Sequence, residues 1–145
     1  MTAQDSHDDV QETIHSWKAE PAWHLRRFRR LCPNISRRQD AWVACFAEHA
    51  TSYEPAAPAP LQGHAALHQF FLGIAGSFRK LGMTEDHVFV SGNRAAVKFT
   101  GRGIGKNGRE VVFEGIDVFE VNENGKIETM WGYWNPATMM AQLQG

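Results

Sequence analysis

The stretch that decides the fold is GIDVFEVNENGKIETMWGYW, Gly115 to Trp134. Successive side chains of a strand point to opposite faces. Val111, Phe113, Gly115, Asp117, Phe119 and Val121 therefore share one side, and Val112, Glu114, Ile116, Val118 and Glu120 share the other. Asn122-Glu123-Asn124-Gly125 interrupts the pattern as a turn, and Ile127 to Trp134 carries it on. The more aromatic face holds an aspartate, while the glutamates lie on the opposite side. A carboxyl facing an apolar environment is penalised when it ionises, so Asp117 stands out as a candidate functional residue. Its plainer reading is a buried acid paired with a histidine or a backbone amide.

The same punctuation extends upstream. Ser91-Gly92-Asn93 and Lys106-Asn107-Gly108 mark further turns, so the chain beyond Met83 reads as an antiparallel meander, and Pro136 begins a short final helix. Before Met83 the periodicity is helical. Ser6 or Asp5 caps a helix bearing Val10, Ile14 and Trp17; Pro21 opens a segment with Leu25, Phe28 and Leu31 in one stripe. Ser36 caps a third helix with Trp42, Cys45, Phe46 and His49 on a face, and a short strand, TSYE, follows. After the loop PAAPAPLQG, Gly63 precedes a helix presenting Leu67, Phe70, Phe71 and Ile74. The expected architecture is α+β: a cone-shaped, curved antiparallel sheet packed against two or three N-terminal helices. Gly101, Gly103 and Gly115 permit the bend that opens a conical cavity, with Asp117 pointing into it.

Bulk properties fix the setting. A chain of 145 residues, 43% hydrophobic, suits one domain over 1–145, with about residues 1–8 expected to be disordered. Fifteen Lys and Arg against sixteen Asp and Glu give a formal net charge of −1, which offers no general attraction to nucleic acid or an anionic membrane. The arginines between Arg26 and Arg38 read as the solvated face of amphipathic helices. Cys32 and Cys45 lack metal-like or redox-like spacing, and the polar start MTAQDSHDDV does not resemble a signal peptide, so a reduced, cytoplasmic protein is expected. His24, His49, His64, His68 and His87 form no ligand constellation, and neither a metal nor another cofactor is expected.

The order of elements, the YEP ending the first strand, the Gly63 before a helix ending in FF, and the closing IDVFEVNENGKIETMWGYW together resemble ketosteroid isomerases. That family belongs to the nuclear transport factor 2-like superfamily of cone-shaped folds, and polyketide cyclase-like members are similar too. The resemblance runs from roughly Phe28 to Pro136. It implies that Glu54 is a general base, that Asp117 donates a hydrogen bond to a substrate oxygen, and that Trp134 is an aromatic wall. The implied apolar pocket holds Glu54 and Asp117 on opposite walls, lined by Phe28, Phe46, Phe71, Phe99, Phe119, Met130 and Trp134. One departure concerns chemistry: the family's steroid isomerases use a tyrosine as second oxyanion donor, whereas the nearest counterparts here are Phe28, Phe46 and Phe71, which cannot donate. Tyr53 and Tyr133 are expected to face away from the cavity.

Three functions fit this reading. The first is a cofactor-independent, isomerase-like or cyclase-like enzyme that moves a proton on a small hydrophobic carbonyl compound, steroids included. The second is a non-catalytic protein of the same fold that binds a small ligand or a partner. The third is a dehydratase or epoxide hydrolase. A homodimer is expected through the outer face of the sheet, where Val112, Ile116, Val118 and Trp131 are more apolar than solvent requires.

Overall fold

From Phe46 onward the chain alternates six strands with two helices: β1 (Phe46–Tyr53), β2 (Leu61–Gln62), α1 (Gly63–Ala75), β3 (Phe78–Ser91), β4 (Arg94–Gly105), β5 (Glu110–Val121), β6 (Ile127–Trp134) and α2 (Pro136–Gln144). This is a computed structural model that describes residues 42–145. The expected helices carrying Val10 to Trp17 and Leu25 to Leu31 lie outside the described residues, as does Phe28.

The strands form one curved, unclosed sheet in the order β2-β1-β6-β5-β4-β3. β3 to β6 are the expected antiparallel meander, and its turns fall where the sequence placed them. Gly92 at φ +60° and Gly125 at φ +75° supply the left-handed backbone that two of these turns need. β1 joins differently, pairing parallel with β6 and antiparallel with β2.

β1 corrects the expected third helix. Trp42 and Val43 are helical, but the strand begins at Phe46 and is longer than TSYE. Phe46 and Ala50 are both buried, with exposed Glu48 and His49 between them, which mimics helical spacing. A register shift in the β1–β6 pairing between Phe46 and Thr51 produces that pattern, and Cys45 O accepts a 2.9 Å bond from Ile127 N. Tertiary pairing thus overrides local periodicity. β3 likewise begins at Phe78, ahead of the expected Met83. Cys45 is disulfide-bonded, so the reduced state expected from the cysteine pattern does not hold at that residue.

Glycines shape the inner face. Gly101 lies under the Phe113 ring, with no room for a side chain of its own, and a Cβ at Gly115 would meet Trp134 Cβ at 2.5 Å and the tip of Phe99 at 3.0 Å. Each large side chain reclines on a glycine of the neighbouring strand. The apolar interior divides in two. Trp42, Phe46, Leu67, Val97, Phe119 and Met130 belong to one cluster, against which Phe71 packs. Phe78, Phe99, Val111, Phe113 and Met139 form the other, joined by Ile74 and Trp134. Complete burial of a phenylalanine stabilises by about 1.5–3 kcal/mol, enough for these clusters to dictate the inward face of every strand.

α2 closes the second cluster. Asn135 caps it by accepting a 3.0 Å bond from Ala137 N, Pro136 occupies the first turn, and Met139 is buried. The Gln142 amide pairs with both backbone groups of Val112, at 2.8 and 2.9 Å, where β5 extends beyond the end of β6.

Candidate active site

The rungs of the sheet locate the acids. One inward rung runs Ser52–Met130–Phe119–Ala95, and another, past Asp117, runs Trp134–Gly115–Phe99. Between them lies Gly132–Asp117–Val97. This is a polar rung between the two apolar clusters. Asp117 is 8% exposed, with Phe113 and Phe119 as its buried neighbours on the same strand face. Burial pushes its carboxyl well above the ordinary carboxylate range, and the nearby Glu54 raises it further.

Glu54 follows the last residue of β1 and precedes Pro55, so its backbone leaves the sheet there while its side chain reaches across β6. The carboxyl rests on Gly132, where a Cβ would meet Oε2 at 2.9 Å and Oε1 at 3.3 Å. Trp134 Nε1 donates a 2.9 Å hydrogen bond to Oε2. Burial raises the Glu54 pKa from 4.5 to about 7, and the indole hydrogen bond opposes that rise by favouring the ionised form. Because Gly132 is the register partner of Asp117, the two carboxyls are neighbours across this glycine. The expectation that they sit on opposite walls is corrected: the curl of β1 onto β6 brings both to one side.

The predicted lining residues separate by cluster. Phe46, Phe119 and Met130 are buried beside Phe71 in the first, whereas buried Phe99 and half-buried Trp134 belong to the second. Trp134 touches Glu54 directly and is more than a wall. Tyr53 and Tyr133 are exposed on the outer face, as strand alternation requires. Gly132 is the residue that sequence reasoning missed. Its signal was a lone glycine among aromatics in MWGYW, the mark of a close approach. Among the described residues no three His, Cys, Asp or Glu side chains converge as a metal site would require, and no helix is long and apolar enough to cross a membrane.

The outer face carries its own rung, Phe89–Ala96–Val118–Trp131–Tyr53, across five strands. Tyr53 and Trp131 stack at 6.1 Å, and the Arg94 guanidinium lies 5.4 Å from the Trp131 ring centre. Beside this rung Lys98 Nζ bridges Asp86 and Glu114, each at 2.7 Å.

Comparison with known proteins agrees with this fold. The family profile described as SnoaL-like domain matches residues 25–130. No curated protein matches the chain significantly. Among solved structures, a phenazine biosynthesis-related protein from Pseudomonas aeruginosa superposes with a TM-score of 0.70 at 17% identity, covering 87% of this chain and 88% of that one. A hypothetical protein with a ketosteroid isomerase-like fold from Catenulispora acidiphila gives 0.66 at 14% identity, covering 76% and 85%. An LEH-like epoxide hydrolase from M. tuberculosis gives 0.62 at 17% identity, covering 83% and 91%. These likenesses establish the fold.

Proposed function

The chain belongs to the SnoaL-like domain family, and we propose that it is a cofactor-independent proton-transfer enzyme acting on a small hydrophobic carbonyl compound. The observation that carries this reading is the pair of carboxyls on the polar rung, Glu54 seated on Gly132 and Asp117 beside it. With a pKa of about 7, Glu54 is divided between acid and base near neutral pH, which suits a group that must both take and return a proton. Asp117, whose burial favours the protonated form, serves as the donor.

The chemistry follows from the two states. Glu54 takes a proton from the carbon next to the substrate carbonyl. The electrons of that C–H bond form the enolate, and Asp117 donates a hydrogen bond to the oxygen where the charge collects. Return of the proton to a different carbon gives isomerisation; attack of the enolate carbon on an electrophilic carbon of the same molecule gives cyclisation. The apolar clusters on either side supply packing for a carbon skeleton, and aromatic and Met side chains accept many shapes.

A β,γ-unsaturated cyclic ketone in deuterated buffer is the test probe. The expected result is conjugation, seen as a rise in ultraviolet absorbance, with deuterium entering next to the carbonyl. Glu54→Gln is expected to lower both by about 10²–10³-fold. Turnover at the wild-type rate in that variant overturns Glu54 as the base, and probe that binds the wild type without exchange favours a non-catalytic binding protein.

A further inference from the structure

Two buried side-chain polar atoms have no hydrogen-bond partner among the described residues, Trp42 Nε1 and Ser52 Oγ. Leaving such groups unpaired costs stability, so each calls for a cause. Both stand on the same side of the acids. Ser52 is fully buried, and its inward side chain precedes Glu54 by two positions, on the rung of Met130 and Phe119. Trp42 is buried too, its ring packed edge-on against Phe46, with centres 5.2 Å apart, and against Phe119, with centres 6.0 Å apart. Phe119 in turn follows Asp117 by two positions on one strand face. The first apolar cluster thus offers an indole N–H and a hydroxyl one rung from the carboxyls. The second cluster, beyond the polar rung, has no such orphan among the described residues.

We propose that Trp42 and Ser52 recognise a second oxygen of the substrate: a hydroxyl or carbonyl roughly 7 Å from the reacting carbonyl, the span of two residues along a strand. The chemistry of the pair selects that group. An indole N–H can only donate and a serine hydroxyl can donate as well, so both suit a neutral oxygen, whose lone pairs accept the two bonds. With the reacting carbonyl at Asp117 and the second oxygen in the first cluster, the hydrocarbon remainder lies toward the second cluster, and the direction of the substrate is fixed. Leu61, on the two-residue edge strand β2, and Phe71, on α1, pack on the first cluster while only half-buried. The oxygen therefore reaches the pair by displacing side chains, with the strands left in place.

The second-oxygen site rests on the carboxyl pair as the reacting centre, yet its test is binding and needs no turnover. The probes are a fused bicyclic ketone with a hydroxyl on the ring remote from the carbonyl, and the same ketone without that hydroxyl. Calorimetry of the wild type is expected to show the hydroxylated ketone bound about tenfold more tightly, and Ser52→Ala to cut that preference to about threefold or less. The Trp42 indole ¹H–¹⁵N signal, assigned through its contacts with Phe46 and Phe119, is expected to move downfield with the hydroxylated ketone and to stay in place with the other. In the free protein Ser52→Ala is expected not to lower the urea midpoint, because the hydroxyl it removes has no bond to lose.

Equal affinities in the wild type, a preference undiminished in Ser52→Ala, or an indole signal indifferent to the hydroxyl overturns the proposal. So does a lowered urea midpoint in Ser52→Ala, which would mean that the hydroxyl is already bonded in the free protein. Exchange of the ketone in deuterated buffer without a preference for the hydroxyl removes the second-oxygen site and leaves the base; preference without exchange supports the site and removes the enzyme reading.

Discussion

Asp117 and Asp86 belong to the same sheet and have opposite fates. Asp117 points inward from β5, between phenylalanines, and burial raises its pKa well above the ordinary value of 3.8. Asp86, on β3, points outward and accepts hydrogen bonds from Lys98 and Thr100, which lower its pKa. Lys98 adjoins Val97, the register partner of Asp117, but its side chain emerges on the other face. A cation one position away along β4 is therefore withheld from Asp117 by strand alternation alone. The side of the sheet, more than the distance along it, decides whether an acid is buried with its pKa raised or ion-paired with its pKa lowered.

The most severe way to break this comparison is to neutralise each acid in turn. Asp117→Asn and Glu54→Gln are each expected to lower kcat for the ketone probe by about 10²–10³-fold, the loss typical of a missing oxyanion donor or general base. Asp86→Asn is expected to leave the rate unchanged. Equal losses at all three positions would erase the distinction between the faces.

Stability against pH sharpens it next. A carboxyl whose folded pKa exceeds its unfolded value contributes fully below the unfolded pKa and loses that contribution as pH rises through the folded one. For Glu54 the window runs from 4.5 to about 7. Urea midpoints of the wild type are expected to fall across this interval, and Glu54→Gln and Asp117→Asn to flatten the fall. Asp86, with its lowered pKa, carries the opposite sign: its contribution is present above its ordinary value of 3.8 and disappears as pH drops through the folded value.

The outer face offers a gentler contrast. Ile116 and Tyr133 are register partners, exposed at 43% and 61%, beside the apolar rung that crosses the sheet. We propose that two copies associate through this face, and sedimentation of the wild type is expected to give a dimer that Ile116→Lys with Tyr133→Lys converts to a folded monomer. An unchanged mass, or a monomeric wild type, removes that interface. The smallest effect belongs to Lys98. Its bonds to Asp86 and Glu114 are solvent-accessible, so Lys98→Met is expected to lower the urea midpoint slightly, with the difference gone in about 1 M salt.

Strand alternation made the inner and outer faces of β5 legible in the sequence, including the inward aspartate and the outward valine and isoleucine. Gly92, Gly108 and Gly125 placed the turns, because few residues tolerate their backbone angles. The family resemblance supplied Glu54, which the residue pattern alone left as a solvated strand end. The pairing of β1 was not legible: its register shift gives Phe46 and Ala50 the spacing of a helix face, and only contact with β6 settles the ambiguity.

What the sequence determined by itself, then, was a set of features fixed by neighbours along the chain: the period of the later strands, the turns, and the side of the sheet on which Asp117 emerges. Tertiary structure decided that Glu54 meets Trp134, eighty positions away, and that Gly132 separates it from Asp117 by the width of one strand. The reason is physical. A carboxyl's pKa depends on desolvation and on a donor brought up from a neighbouring strand, and local periodicity encodes neither.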